Sequence, residues 1–202
     1  MFALVESGSI TKMLNGRRGI TIDGVQHPQQ IFTIWTESER NAIGIYTVEM
    51  DVSKRKDDKW YINTNITYTF SDGKVTGSYG DATAKAHADV LFTQEDEDNG
   101  LGTKDDIKVA GLKTILIRQV KAETAQELQK TDWYVVRKAD TSEAVPTNIA
   151  THRAAVRTKQ AEMETSITNA ADTAALQTLY TYTYNSETKV TSRPIGELPT
   201  LE

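Results

Sequence analysis

The stretch QEDEDNGLGTKDD, residues 94–106, divides the chain into two parts with different apolar patterns. The stretch is acidic and contains two glycines, so it is too polar for a core element and favours a loop. Before it, large apolar residues recur at intervals of two, which is the spacing of strands. After it, they recur at intervals of about 3.6, which is the spacing of helices. These patterns predict an α+β fold, in which an N-terminal antiparallel β domain precedes a C-terminal helical hairpin.

On this basis the chain divides into four segments. We expect a β-rich domain with one short helix over residues 1–94, an acidic linker over 95–108, a helical hairpin region over 109–182 and an extended C-terminal arm over 183–202. The arm is predicted because the last segment contains two prolines and little periodicity.

Turn motifs mark the strands of the first segment. Residues 7–8 (Ser-Gly) and 23–24 (Asp-Gly) are typical of tight hairpin turns, because glycine accepts positive φ at no steric cost. The run WYINTNITYTF, residues 60–70, carries large residues at two-residue intervals and predicts a strand with one buried face. Residues 71–74 then supply a turn, and residues 75–79 are the predicted return strand.

One short helix is predicted to interrupt these strands. Thr36 and Glu39 have the three-residue spacing of a capping box, in which each residue bonds the backbone of the other. Gly44 is the expected end of this helix.

In the helical segment, two apolar stripes predict two long helices. The first stripe comprises Val109, Leu112, Ile115, Leu116 and Val120, and Leu128 extends it. The second begins after Pro146 and comprises Ile149, Val156, Met163 and Ile167. Because Arg153 and Gln160 lie within the second stripe, it suits a helical hairpin or the seam with a partner helix better than a fully buried helix. Asp172 or Thr173 is predicted to cap a last short helix that runs to Leu179.

Composition restricts the function. The net charge of −5 and the pI near 5.3 argue against nonspecific nucleic-acid binding, which needs a basic surface. The absence of cysteine excludes disulfides and thiol nucleophiles. No apolar run approaches the ~20 residues that cross a bilayer, and the N-terminus lacks the pattern of a signal peptide. We therefore expect a protein without membrane association that stays in the cytoplasm.

No motif for catalysis, a metal or a cofactor is convincing. His27, His87 and His152 lie far apart and lack partner patterns, so surface or packing roles are favoured for them. Around Gly100 the acids have part of the spacing of a calcium loop, but the first and last ligands, Glu95 and Asp106, are of the wrong type. A solvated linker is the favoured interpretation, and we expect a protein that is not an enzyme and holds no cofactor.

Aromatic residues are the better candidates for a binding surface. Residues 133–136 (Trp-Tyr-Val-Val) form a dense apolar patch. Tyr180, Tyr182 and Tyr184 alternate and would share one face of an extended arm. For both groups, core packing remains the alternative and is favoured over binding.

Residues 131–157 contain a Thr-Asp-Trp box, a linker with a proline, and a helix with two arginines four residues apart. The residues concerned are Thr131-Asp132-Trp133, Val145-Pro146 and His152-Arg153-Ala154-Ala155-Val156-Arg157. This arrangement resembles the signature region of the bacteriophage tail assembly chaperones, the tail-fibre assembly proteins. His152 stands where that family has an aromatic residue, and Val156 stands where it has leucine.

The resemblance implies a protein that binds a phage tail or tail-fibre protein in the host cytoplasm and helps it to fold, trimerise or assemble. We expect Trp133 to fix the corner of the helical hairpin. Arg153 and Arg157 are expected to pair with acids of the first helix, or else with the client. The predicted partner-binding residues are Trp133, Tyr134, Arg153, Arg157, Tyr180, Tyr182 and Tyr184.

Two other classes of function remain open. The chain is alternatively a structural component of the virion, a tail or fibre adaptor located on the tail, and self-association is compatible with either role. The other alternative is an enzyme such as a glycan hydrolase.

Overall fold

The structure, a computed structural model, describes residues 1–201. The α+β fold class predicted from the sequence is confirmed, since a sheet-rich N-terminal region precedes the helices. The chain forms two compact units, Met1–Thr83 and Ala84–Glu202, so the first unit ends eleven residues before the predicted boundary at residue 94.

The first unit is mainly β structure. Its helical elements are a 3₁₀ turn at Gln29–Phe32 and helix α1 (Glu37–Ala42). Its strands are β1 (Phe2–Glu6), β2 (Ser9–Leu14), β3 (Ile20–Ile22), β4 (Val25–His27), β5 (Ile45–Asp51), β6 (Tyr61–Ile62), β7 (Thr67–Ser71) and β8 (Lys74–Ser78), with β9 (Thr83–Ala84) at the boundary.

A five-stranded sheet with the order β2-β1-β5-β8-β7 organises this unit. Its strands pair antiparallel except β5 and β8, which are parallel, so the sheet is mixed where the prediction was antiparallel. Apolar residues cover both of its faces. One face carries a core of Leu4, Ile20, Ile22, Ile31, Phe32 and Ile45, and the other carries Ala3, Val5, Val48 and Val75.

The predicted turns of this unit are confirmed. Ser7 and Gly8 both have positive φ, 50° and 77°, which is the geometry that joins two strands in a two-residue hairpin. The capping box of Thr36 and Glu39 is present at the start of α1. The prediction of one continuous strand over residues 60–70 is wrong. Asn65 adopts a left-handed φ of 61°, which interrupts the extended chain between β6 and β7.

The second unit begins with two short strands around a helix. The strands are β10 (Val90–Leu91) and β11 (Ile107–Val109), which pair antiparallel, and helix α2 (Gln94–Asp98) lies between them in sequence. The prediction of an acidic linker over residues 95–108 is therefore wrong. Thr93 and Asp96 form a capping box at the start of α2, and Lys108 of β11 pairs with Asp96 at 2.7 Å. The acids also lie in the first turn of α2, where the helix dipole favours negative charge.

Two long helices form the core of the second unit. They are α3 (Leu112–Gln129) and α5 (Thr147–Asn169), and α4 (Asp132–Thr141) lies between them in sequence. Lys113, at the start of α3, donates to the carbonyl of Thr168, at the end of α5, so the two helices run antiparallel. All four residues of the second predicted stripe are buried, namely Ile149, Val156, Met163 and Ile167.

The first predicted stripe is only partly right. Leu112, Leu116 and Val120 are buried, whereas Val109 lies in β11 and is exposed, as is Ile115. Along α3 the buried face instead continues through the polar residues Thr124 and Glu127.

The C-terminal segment is folded, so the prediction of an extended arm over residues 183–202 is wrong for the part that the structure describes. Helix α6 (Thr173–Tyr180) is capped by Asp172, which confirms the predicted last helix. Strands β12 (Thr183–Asn185) and β13 (Val190–Ser192) then form a hairpin. Ile195 is buried, and its N–H donates to the carbonyl of Leu179 at 3.1 Å, which holds the segment against α6.

Within residues 1–201, no helix combines the length and the apolar character that a membrane span requires.

Candidate protein-binding surface

Helix α4 exposes an apolar surface. None of its ten residues is buried. The exposed fractions are 53% for Trp133, 44% for Val135 and 66% for Val136. Together with the partly buried Tyr134, these residues form the patch that we call the α4 patch. A helix that buries none of its residues gains little stability from apolar burial within its own chain. Exposed apolar side chains on such a helix are typical of a surface that another molecule covers.

Aromatic contacts order one end of the α4 patch. The rings of Trp133 and Tyr134 lie 4.1 Å apart between centroids and are tilted by 35°. The guanidinium of Arg137 lies 4.7 Å from the Trp133 ring and 5.4 Å from the Tyr134 ring, and it also pairs with Glu143 at 3.3 Å. These cation–π contacts restrain both rings while leaving half of the indole exposed. An aromatic side chain ordered before binding loses less entropy when a partner arrives.

A buried arginine fixes the corner from which α4 starts. The Nη1 of Arg153 donates to the Leu128 carbonyl at 2.7 Å and to the Thr131 hydroxyl at 2.7 Å, and it lies 2.9 Å from the Oδ1 of Asp132. One side chain of α5 thereby joins the end of α3 to the start of α4. Arg153 and Thr131 are both buried, so water does not compete with this bond.

This geometry corrects the role expected for Trp133. The indole does not fix the corner of the helical hairpin, because its position at the start of α4 leaves it half exposed to solvent. Arg153 fixes the corner instead. It pairs with Asp132 of α4 rather than with an acid of α3, and its burial leaves it unable to touch a client.

A second polar pair lies beside this corner, between α3 and α5. Nε2 of His152 lies 3.3 Å from Oε1 of Glu127, and both side chains are buried. Lys130 also pairs with Glu127. Its hydrogen bond and charge lower the pKa of Glu127 against the opposing effect of burial, and the nearby His152 adds to the lowering. Glu127 was missed as a structural residue, although its position on the stripe of α3 is a signal that indicates burial.

The other predicted binding residues lie elsewhere in the second unit. Arg157 is exposed, and the one hydrogen bond of its side chain in the described residues is a long one of 3.4 Å to the Arg153 carbonyl. Tyr180 is the last residue of α6, so the three tyrosines do not share one extended strand. Arg193 lies over the rings of both Tyr180 and Tyr182, at 5.4 and 5.2 Å, whereas Tyr184 is exposed on the hairpin. The structure therefore groups Trp133, Tyr134 and Arg153 at one corner and Tyr180 with Tyr182 at another.

The chain exposes more surface than its size requires. Its accessible surface is 13245 Å². Two separate globular units of these lengths would together expose roughly 11,000 Å². The excess of roughly 2,000 Å² is larger than the ~800 Å² that one protein contributes to a standard interface. Part of it comes from the β10–β11 and β12–β13 ribbons, in which every residue is exposed.

The chain matches no protein-family model, no curated protein sequence and no solved structure. The class of site therefore follows from its geometry alone. An ordered aromatic and aliphatic patch, on a helix anchored by a buried arginine, is typical of a surface that binds another protein.

Proposed function

We propose that this chain is an assembly chaperone for a bacteriophage tail or tail fibre, which acts in the host cytoplasm by binding its client through the α4 patch and catalyses no reaction. The observation that carries the proposal is that α4 contributes no buried residue to its own fold while it exposes Trp133, Val135 and Val136. Binding a client would remove this apolar surface from water, which is favourable.

The class of client comes from the resemblance of residues 131–157 to the phage tail assembly chaperones. In this chain those residues include the whole of α4, the Thr131–Asp132 corner and the arginine that holds it. The resemblance and the exposed patch therefore fall on the same residues, which supports a shared role in binding.

Size and geometry also suit a transient complex. The α4 patch comprises four apolar residues, which is a small surface compared with a standard interface. A small surface gives modest affinity, and modest affinity lets a chaperone release its client once assembly is complete.

Co-expression with a phage tail-fibre protein as the candidate client tests the proposal. We expect the wild-type chain to raise the soluble yield of the fibre, and Trp133→Ala with Val136→Ala to remove most of that increase. The double variant should keep its helicity in circular dichroism, because both side chains are exposed. A matched control is Ile34→Ala, which removes an exposed apolar side chain from the first unit. Equal fibre yield with and without the chain would contradict the proposal.

A structural component of the virion is the second candidate, and the excess of exposed surface favours it. Roughly 2,000 Å² is more than a single transient contact needs and suits a subunit that stays in a larger assembly. Mass spectrometry of purified particles separates the two functions. A stoichiometric amount of this chain in mature virions supports the tail or fibre adaptor, and its absence from virions supports the chaperone.

A further inference from the structure

The first unit contains a groove that the proposed function does not use. Its volume is about 450 Å³. It is bordered by β2 and β3 and by the loop between them, and its lining includes Lys12, Leu14, Gly16, Arg18, Ile20 and Phe32. We call this the β2–β3 groove.

Both strands that border the β2–β3 groove have an unpaired edge. β2 is the outermost strand of the five-stranded sheet and pairs with β1 alone. β3 pairs with β4 alone, in a separate two-stranded sheet. Backbone N–H and C=O groups on such edges have no strand partner, and an extended peptide can supply one by strand addition.

The charged residues that line the β2–β3 groove are all basic. Lys12 and Arg18 line it, Arg17 lies beside Arg18 in the same loop, and none of the ten lining residues is acidic. Within residues 1–201, Lys12, Arg17 and Arg18 form no ion pair, whereas Lys54, Arg55 and Lys74 of the same unit each pair with an acid. Two unpaired cations that line one groove, in a chain of net charge −5, favour a ligand that carries negative charge.

The bottom of the β2–β3 groove is apolar and closely packed. Ile20 and Phe32 are buried core residues, and Leu14 packs against the same core. Gly16 closes the loop with a φ of +69°, and a Cβ there would lie 3.1 Å from the Phe2 ring and 3.3 Å from Phe32. The groove therefore offers a site for one apolar side chain between positions that favour acids.

We propose that the β2–β3 groove binds an extended acidic segment of a partner protein, which adds as a strand to the edge of β2. In this complex the backbone of the segment pairs with the strand edge. Lys12 and Arg18 bind its acidic side chains, and an apolar side chain two residues from an acid, on the same face of the segment, enters the groove above Phe32. Because the site lies in the first unit, it is independent of the α4 patch in the second.

The probe is a peptide of about ten residues in which glutamate and valine alternate along one face and threonine occupies the other face, labelled with a fluorophore and measured by anisotropy. We expect the wild-type chain to bind it, and Lys12→Glu with Arg18→Glu to weaken binding at least about tenfold. The matched control, Lys74→Glu with Lys54→Glu, makes the same change in charge outside the groove and should bind as the wild type does, apart from the uniform effect of net charge. Raising the salt concentration from about 50 to about 500 mM should weaken binding.

Four outcomes would overturn the proposal. The first is no binding of the glutamate–valine peptide to the wild-type chain. The second is equal loss of binding in the groove variant and in its control. The third is unchanged binding of the same peptide after N-methylation at alternate residues, because strand addition requires those N–H groups. A DNA duplex that competes fully for the site would also overturn it in favour of a general polyanion site.

Discussion

The guanidinium of Arg153 donates a 2.7 Å hydrogen bond to the hydroxyl of Thr131, twenty-two residues earlier in the chain, and both residues are buried. This bond joins the second turn of α5 to the residue that precedes α4. Thr131 in turn donates to the Leu128 carbonyl at 3.0 Å, so the end of α3 belongs to the same network. The direction in which α4 leaves the helical core therefore depends on the side chains of Arg153 and Thr131.

Replacing Arg153 should destabilise the second unit. Arg153→Ala removes the donor to the buried Thr131 hydroxyl and one donor to the Leu128 carbonyl, which keeps its 3.0 Å bond from Thr131, and we expect the free energy of unfolding to fall by about 1–3 kcal/mol. The control is Arg157→Ala, one turn further along α5, which removes an exposed arginine and should change stability by less than about 0.5 kcal/mol. Urea denaturation followed by circular dichroism measures both. Equal effects of the two substitutions would contradict the role given to Arg153.

The C-terminal segment should contribute to stability because Ile195 is buried against the second unit. Ile195→Ala should lower the free energy of unfolding by about 2–4 kcal/mol, through lost apolar burial and the cavity left behind. Val190→Ala, on the exposed hairpin, should cost less than about 0.5 kcal/mol. Hydrogen exchange at the amide of Ile195 provides a second measurement, since a free arm would exchange at once.

Acid should weaken the second unit. Hydrogen bonds from Lys108 and Thr93 lower the pKa of Asp96 from 3.8 to about 2, and bonds from Thr114 and Gly111 lower the pKa of Asp89. The pKa of Glu127 is also lowered, mainly by Lys130. Because each pKa is lower in the folded chain than in the unfolded chain, these groups stabilise the fold fully above about pH 4.5 and lose that effect as the pH falls toward 2.

Thermal unfolding of the wild-type chain and of Asp96→Asn, each at pH ~6 and ~3, checks this expectation. The variant should be less stable than the wild type at the higher pH. The difference between the two should shrink at the lower pH, where the wild-type carboxylates begin to take up protons. If the difference in stability between the wild type and Asp96→Asn grew on acidification, the predicted direction of the pH dependence would be wrong.

Gly111, which precedes α3, should not tolerate replacement by a residue with a side chain. A Cβ there would lie 2.3 Å from the carbonyl carbon and oxygen of Ala88, and backbone atoms cannot move aside as a flexible side chain can. Gly111→Ala should therefore cost about 2–3 kcal/mol. Gly100→Ala is the matched control, because its φ of +70° is strained for alanine but no atom lies within 4 Å, and it should cost only about 1 kcal/mol. If urea denaturation showed that both substitutions lower the free energy of unfolding equally, the close approach of Gly111 to the Ala88 backbone would be contradicted.

Local features of the fold were predictable from the sequence because they depend on residues only a few positions apart. The capping box of Thr36 and Glu39, the turn at Ser7 and Gly8, and the cap at Asp172 are of this kind. The buried stripe of α5 was predictable for the same reason, since it repeats along one helix.

Features that depend on distant partners were not predictable in the same way. Residues 95–108 look like a linker because the pairing of β10 with β11 and of Lys108 with Asp96 cannot be read from the sequence. The capping box of Thr93 and Asp96 was a local signal for α2 that was missed. Trp133 looks like a core residue by type, and only the packing of α3 against α5 shows that no core reaches it. For Arg153 a signal was present, because it falls on the same stripe as Ile149 and Val156, and a polar residue on a buried stripe indicates a specific partner.

Because β5 pairs in parallel with β8, we expect the first unit to fold at a different rate from the second. β1 pairs with β5 some forty residues later, and Val48 of β5 pairs with Val75 of β8, so the sheet depends on contacts between distant parts of the chain. The helices of the second unit form from local contacts and should fold faster than this sheet, by the usual dependence of rate on contact order. During synthesis, β1 emerges from the ribosome before β5 does. The edge of β1 that pairs with β5 therefore stays unpaired until residue 51 has emerged. We expect early nascent chains to aggregate during that interval more readily than those that have passed residue 78.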